Sequence, residues 1–135
     1  MKTIVELITG IEKGNNKKFL IQKDNIITYG MLLDAVLKAI YLLQQHGFKQ
    51  HDKIILSCGA EEDIIVFFLA CLRSGITPIL VDHTTKETRI NAILKSAHPS
   101  GFIIDFLLKE SWHLNENINC ILIKRTAQKK YRRHK

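Results

Sequence analysis

Six histidines and three cysteines are the side chains through which this 135-residue chain could bind metal or do nucleophilic chemistry. The histidines, at positions 46, 51, 83, 98, 113 and 134, never stand at a metal-ligand spacing from one another or from Cys58, Cys71 or Cys120. Ser57 lacks the Gly-x-Ser-x-Gly setting that exposes a hydrolase nucleophile. Asp82 beside His83 is the one acid–base pair that falls at the end of a strand-like run, where catalytic groups of α/β folds gather. The plainer reading of that pair is a loop before a helix cap. A nucleotide phosphate would be sought at the turn Ser57-Cys58-Gly59-Ala60-Glu61, because ligands of α/β folds collect where strands turn into helices. That turn has one glycine in place of Gly-x-Gly-x-x-Gly, and Glu61, Glu62 and Asp63 follow it, a charge that repels phosphate. No Gly-x-x-x-x-Gly-Lys-Ser/Thr occurs anywhere. Trp112 with Phe106 and Leu107 could line a pocket, but aromatic groups in such runs more often cover a sheet edge.

The remaining chemistry is charge. The net charge of +7 invites a polyanion, yet residues 1–123 hold 13 basic and 13 acidic side chains. The whole excess lies in Lys124, Arg125, Lys129, Lys130, Arg132, Arg133 and Lys135. Residues 124–135 therefore read as a basic, disordered tail on a neutral domain spanning 1–123. A dozen residues without a folded platform bind polyanions weakly and with strong salt dependence, so specific nucleic-acid binding is not expected.

The elements that must position these groups follow from periodicity. Phe19-Leu20-Ile21 and Ile26-Ile27-Thr28 flank Lys23-Asp24-Asn25, a strand–turn–strand pattern. Thr28 then caps a helix whose apolar residues recur at 32/33, 36/37, 40 and 43, with Gly47 as its left-handed stop. Short β-branched runs predict strands near 54–58, 76–81 and 101–105, with a last short strand at 120–123. Between them, helices are expected near 61–73 and 86–97, the second opened by a capping box of Thr84 and Glu87. Ile64 to Leu72 is apolar on nearly every face, so its helix should be sandwiched. Alternating strands and helices imply an α/β fold: a parallel βαβαβ sheet with helices on both faces.

Size and composition bound the setting. The chain is one domain's worth of polypeptide, and 46% hydrophobic with 24% charged residues is a globular balance. Three cysteines without regular spacing fit a reduced, cytoplasmic protein better than a disulfide framework. The first residues, Met1 to Ile8, carry Glu6 where a signal peptide would be apolar. The longest apolar run, Ile64 to Leu72, is too short for a membrane span, which needs about 20 residues.

Several segments together carry a family resemblance. Thr28-Tyr29-Gly30-Met31-Leu32 matches a Thr-Tyr-x-Glu-Leu helix start except at the glutamate. His51-Asp52-Lys53-Ile54 stands where that family has Gly-Asp-x-Val. Leu72-Arg73-Ser74-Gly75, Pro78 and Asp82 follow a Leu-Lys-Ala-Gly…Pro-x-Asp stretch with the proline displaced, and Gly101-Phe102-Ile103-Ile104-Asp105 comes next. In this order the chain resembles part of the N-terminal subdomain of AMP-dependent synthetases and ligases, the acyl-CoA synthetase-like, adenylate-forming enzymes. If the glycine before the aspartate serves a positive φ, His51 carries strain there.

The resemblance implies a parent reaction, ATP- and Mg²⁺-dependent activation of a carboxylate to an acyl-adenylate, usually followed by thioester formation. It also implies that the glycine-rich phosphate loop, the adenine and ribose contacts and the catalytic lysine lie beyond the matched region. No catalytic, cofactor-binding or metal residue carries over, and no cofactor is expected for this chain by itself. The expectation is a truncated front portion of such a ligase, inactive alone and prone to self-association through uncovered apolar surface. The abrupt basic end also leads to the expectation that the nucleotide sequence past the stop codon still encodes the phosphate loop. The alternative is a non-enzymatic α/β binding module whose basic tail takes a polyanion.

Overall fold

The computed structural model describes residues 18–22 and 25–124, with side chains from Thr28 onward. The opening residues read above for a signal peptide, and the tail from Arg125, lie outside the described residues. Strands β1 (Lys18–Gln22) and β2 (Asn25–Thr28) form a separate antiparallel pair. β2 runs directly into helix α1 (Tyr29–Gln45). Thr28 is extended and its hydroxyl accepts from the Met31 amide at 3.1 Å, so the expected cap is formed without the family's glutamate. Leu32, Val36, Ala39 and Leu43 bury one stripe of α1. The helix ends where the Gly47 amide donates to Gln44 and the Phe48 amide to Leu43, with Gly47 at φ 81°. Glycine meets that left-handed closure without a side-chain clash, and Phe48 folds back into the core behind it.

Strand β3 (Lys53–Ser57) leads to α2 (Glu61–Arg73), then β4 (Thr77–Leu80), α3 (Glu87–Ala97), β5 (Gly101–Asp105), the short α4 (Phe106–Ser111) and β6 (Cys120–Ile123). The four strands form a parallel sheet in the order β4-β3-β5-β6. α2 closes on the same hydrogen-bond pattern as α1, through Gly75 at φ 75°. A side chain on Gly75 would place its Cβ 2.7 Å from Gln50 Cγ, so packing and backbone both ask for glycine.

The sheet separates two cores. Ile54, Leu56, Ile103 and Ile121 face α1 and α2, whereas Ile55, Phe102 and Ile104 face Ile90, Leu108 and Trp112 from the other side. Helices therefore cover both faces, and α2 lies between α1 and the sheet elements with Val66, Phe67, Leu69, Ala70 and Cys71 buried.

Two expectations are corrected. Thr84 and Glu87 form no capping box: α3 is capped at Lys86 without a side-chain bond. The Thr84 amide and hydroxyl both donate to Asp82 Oδ1, at 3.0 and 3.1 Å, so the nearer aspartate captures the threonine in a local turn. The aromatic group around Trp112 also splits. Trp112 is buried and its indole N–H donates to the Thr85 carbonyl at 2.8 Å, while Phe106 and Leu107 stay exposed. His51 takes φ 78°, the left-handed backbone that its replacement of a glycine suggested.

Candidate functional site

β3 is the first strand of the sheet, β4 pairs on one side of it and β5 on the other. The chain thus reverses its direction of travel at the carboxyl ends of β3 and β5, the place where open parallel sheets usually take a ligand. Three features meet there. The Gly59 amide, just before α2, donates to Asp105 Oδ2 at 2.7 Å across the ends of the two strands. Glu61, Glu62 and Asp63 occupy the first turn of α2, and Glu62 and Asp63 are each only 2% exposed. The Ser57 hydroxyl is buried with no hydrogen-bond partner.

These groups settle what the turn can hold. A phosphate at a helix N-terminus needs free amides and a positive field. Here the chain's own Asp105 carboxylate takes the Gly59 amide, and three more carboxylates follow within four positions. The residues present do not fit an ATP phosphate at this turn. Ser57 alternates with Ile54 and Leu56, which face the α1/α2 core, so its hydroxyl lies on the other side of β3 beside Ile104 in the register. No base touches it, and an unassisted serine is a weak nucleophile.

The remaining candidates serve the fold. Asp82 is held below the usual carboxylate range by the Thr84 amide first and the Thr84 hydroxyl second. His83 Nδ1 lies 3.4 Å from the same Asp82 oxygen, with both side chains more than half exposed, a loop arrangement as the plainer reading supposed. His46 Nδ1 meets Asn119 Oδ1 at 3.2 Å, and Asn119 Nδ2 donates back to the His46 carbonyl at 2.7 Å. His98 caps α3 in the left-handed conformation. His113, also left-handed, meets Glu87 Oε1 at 2.9 Å. His134 lies outside the described residues. Cys58, Cys71 and Cys120 are free thiols, and burial pushes Cys71 up to about 12 and raises Cys120 as well. Among the described residues, no group of three His, Cys, Asp or Glu side chains could hold a metal. Nor is any described helix long and apolar enough to cross a membrane.

Asp105 is what the sequence reading missed. In the sequence it stands only as a motif residue at a strand end, and its bond to Gly59 depends on the β3–β5 register, which no local pattern gives. The burial of Glu62 and Asp63 was equally invisible, because acids in a first helical turn usually face water.

Comparison with known proteins places this fold. A model of the AMP-binding enzyme family matches residues 9–134. Among solved structures, Klebsiella oxytoca NpsA in complex with 3-hydroxyanthranilyl-AMSN is 18% identical, over 92% of this chain and 25% of that one, with a TM-score of 0.72. A benzoate CoA ligase from Burkholderia xenovorans LB400 is 22% identical, over 91% of this chain and 25% of that one, with a TM-score of 0.75. The N-terminal subdomain of Klebsiella oxytoca NpsA, in complex with the same ligand, is 21% identical over 78% of this chain and 27% of that one, with a TM-score of 0.69. At these identities the likeness is one of fold. The chain spans about a quarter of the length of each. No curated protein sequence matches it. The family match covers all the described residues, and the chain belongs to the AMP-binding enzyme family.

Proposed function

We propose that this chain is the front portion of an adenylate-forming ligase, a scaffold that makes no acyl-adenylate by itself. The family match supports the ancestry, and the Gly59–Asp105 bond supports the reading that the described strand-end turn offers no substitute phosphate site. The sheet's ligand-collecting end is closed by a carboxylate where a nucleotide phosphate would need an amide. The parent reaction needs charge stabilisation on the transferring phosphate, and the charged side chains at the strand-end turn, Glu61, Glu62, Asp63 and Asp105, are all carboxylates. Three free thiols, two of them buried, suit a reducing compartment such as the cytoplasm. Incubation of the purified chain with ATP, Mg²⁺ and a panel of carboxylates is expected to leave pyrophosphate release at the no-enzyme background. Sustained, carboxylate-dependent release would overturn the reading.

A second reading rests on the placement of charge: every excess cation falls in 124–135 while the body is neutral. On that reading the domain displays a polyanion-binding tail. Deleting 124–135 would then abolish retention on heparin at low salt, whereas unchanged retention would dismiss the tail as a binding element.

A further inference from the structure

The two outer strands of the parallel sheet are finished differently. On β4 the amides of Thr77 and Val81 donate to the Asp52 and Leu56 carbonyls of the inner side, at 2.9 and 3.1 Å. Backbone groups alternate along a strand, so Pro78 and Leu80 turn theirs outward. Pro78 has no N–H, and β4 is thereby protected against pairing with another strand. On β6 the Asn119 carbonyl accepts from the Phe102 amide at 2.9 Å. Residues 119, 121 and 123 therefore face β5, and Cys120 and Leu122 turn their N–H and C=O outward. The strand is Cys-Ile-Leu-Ile, with no proline and no charge to deter a partner. Among the described residues nothing pairs with this side of it.

The surroundings of β6 favour one kind of partner. Phe106 and Leu107 are 48% and 72% exposed, and the Lys124 ammonium lies 5.6 Å from the centre of the Phe106 ring, which places that ring beside the end of β6. A hollow of about 430 Å³ between α4 and the approach to β6 is lined by Phe106, Lys109, Glu110, His113, Leu114 and Glu116. The strand thus has the Lys124 cation just past its end and the Glu116 carboxylate four residues before its start.

We propose that the outer edge of β6 pairs with the same edge of a second copy of this chain, antiparallel about a two-fold axis, making one sheet continuous through both copies. A two-fold contact requires a surface that complements itself. With Ile121 opposite its counterpart, Cys120 of each copy lies opposite Leu122 of the other, and the outward N–H and C=O groups of each such pair exchange hydrogen bonds. The same register sets Lys124 opposite position 118 of the second copy, two residues from its Glu116. Phe106 and Leu107 gain cover in addition to the backbone bonds. A head-to-tail contact of β6 with β4 would meet Pro78 and would leave unpaired edges at both ends, so the two-fold arrangement is the one this sheet favours. The pairing is independent of whether the chain can adenylate.

Sedimentation of the purified 135-residue chain tests this, together with amide hydrogen exchange at rising protein concentration. The sedimenting mass should double across the micromolar range. Leu122→Pro removes an outward N–H that β5 does not use, and should return the monomer with an unchanged circular dichroism spectrum. In the unaltered chain, the amides of Cys120 and Leu122 should gain protection as concentration rises, while that of Leu80 on the opposite edge should not. The exchange readout stands even if the variant fails to fold. A monomer at high micromolar concentration, concentration-independent exchange at Cys120 and Leu122, or a dimer that survives Leu122→Pro would each overturn the proposal.

Discussion

On one face of the sheet, Ile54, Leu56, Ile103 and Ile121 meet α1 and α2, two long helices that bury Leu32, Val36, Ala39, Leu43, Val66, Phe67 and Leu69. On the other, Ile55, Phe102 and Ile104 meet α3, whose only buried residue is Ile90, and α4, whose only buried residue is Leu108, with Trp112 just beyond it. The first face is held by apolar area, which is non-directional and tolerant of small adjustments. The second has less area to spend and adds directional ties: the Trp112 indole to the Thr85 carbonyl, and His113 to Glu87. Regions with few buried contacts open first, so the α3/α4 layer should exchange its amides ahead of the α1/α2 layer.

The largest test of that contrast uses neighbours on β5. Phe102→Ala should cost about 3–5 kcal/mol in urea unfolding, and exchange protection should drop first in α3 and α4. Ile103→Ala, one residue along and facing α1 and α2, should cost a similar total but lower protection throughout the domain. Equal exchange patterns for the two variants would remove the distinction between the faces. Next, Trp112→Phe keeps most of the buried ring but leaves the Thr85 carbonyl without its donor, a loss of about 1 kcal/mol that should appear only in the α3/α4 amides.

Two of the three histidines in left-handed backbone, His51 and His113, sharpen the comparison further. A side chain in that conformation costs about 1–2 kcal/mol, so His51→Gly, in the turn before β3, should raise the urea midpoint. His113→Gly relieves the same strain but discards the bond to Glu87, and its gain should be smaller. The difference between the two midpoints measures what the Glu87 tie gives the thinner face. The smallest effect is at Asp82, outside both cores. Its folded pKa is depressed, so its contribution is complete above the ordinary carboxylate value of about 3.9 and is lost as pH falls through the folded value. Carboxyl NMR titration should find Asp82 low in the parent chain, and shifted up, though not to the ordinary value because the Thr84 amide bond remains, in Thr84→Val.

The thicker face was the more legible in sequence, and the reason is physical. α1 and α2 carry apolar repeats long enough to define a stripe, and Thr28, Gly47 and Gly75 mark where three of their ends fall. Short β-branched apolar runs mark β3, β5 and β6. The bounds of α3 are legible too, but not its cap, because Asp82 and the Glu87 amide compete for Thr84 and only local geometry decides between them. At the strand ends the turn's poor fit to phosphate could be read from its composition. The carboxylate that closes it could not, since Asp105 and Gly59 lie 46 residues apart and meet only through the pairing of β3 with β5.

That separation also bears on how the domain is made. β3 lies in the interior of the sheet, yet both strands that flank it come later in the chain. During synthesis from the amino terminus, Ile54, Ile55 and Leu56 leave the ribosome before either flanking strand exists. α1 and α2 can shelter one side of β3 early through local contacts. The edge of β3 away from β4 waits for β5, and the closure of so long a loop slows folding relative to local helix formation. The nascent chain is therefore most exposed to aggregation, and most in need of a chaperone, in the interval between the emergence of β3 and that of β5.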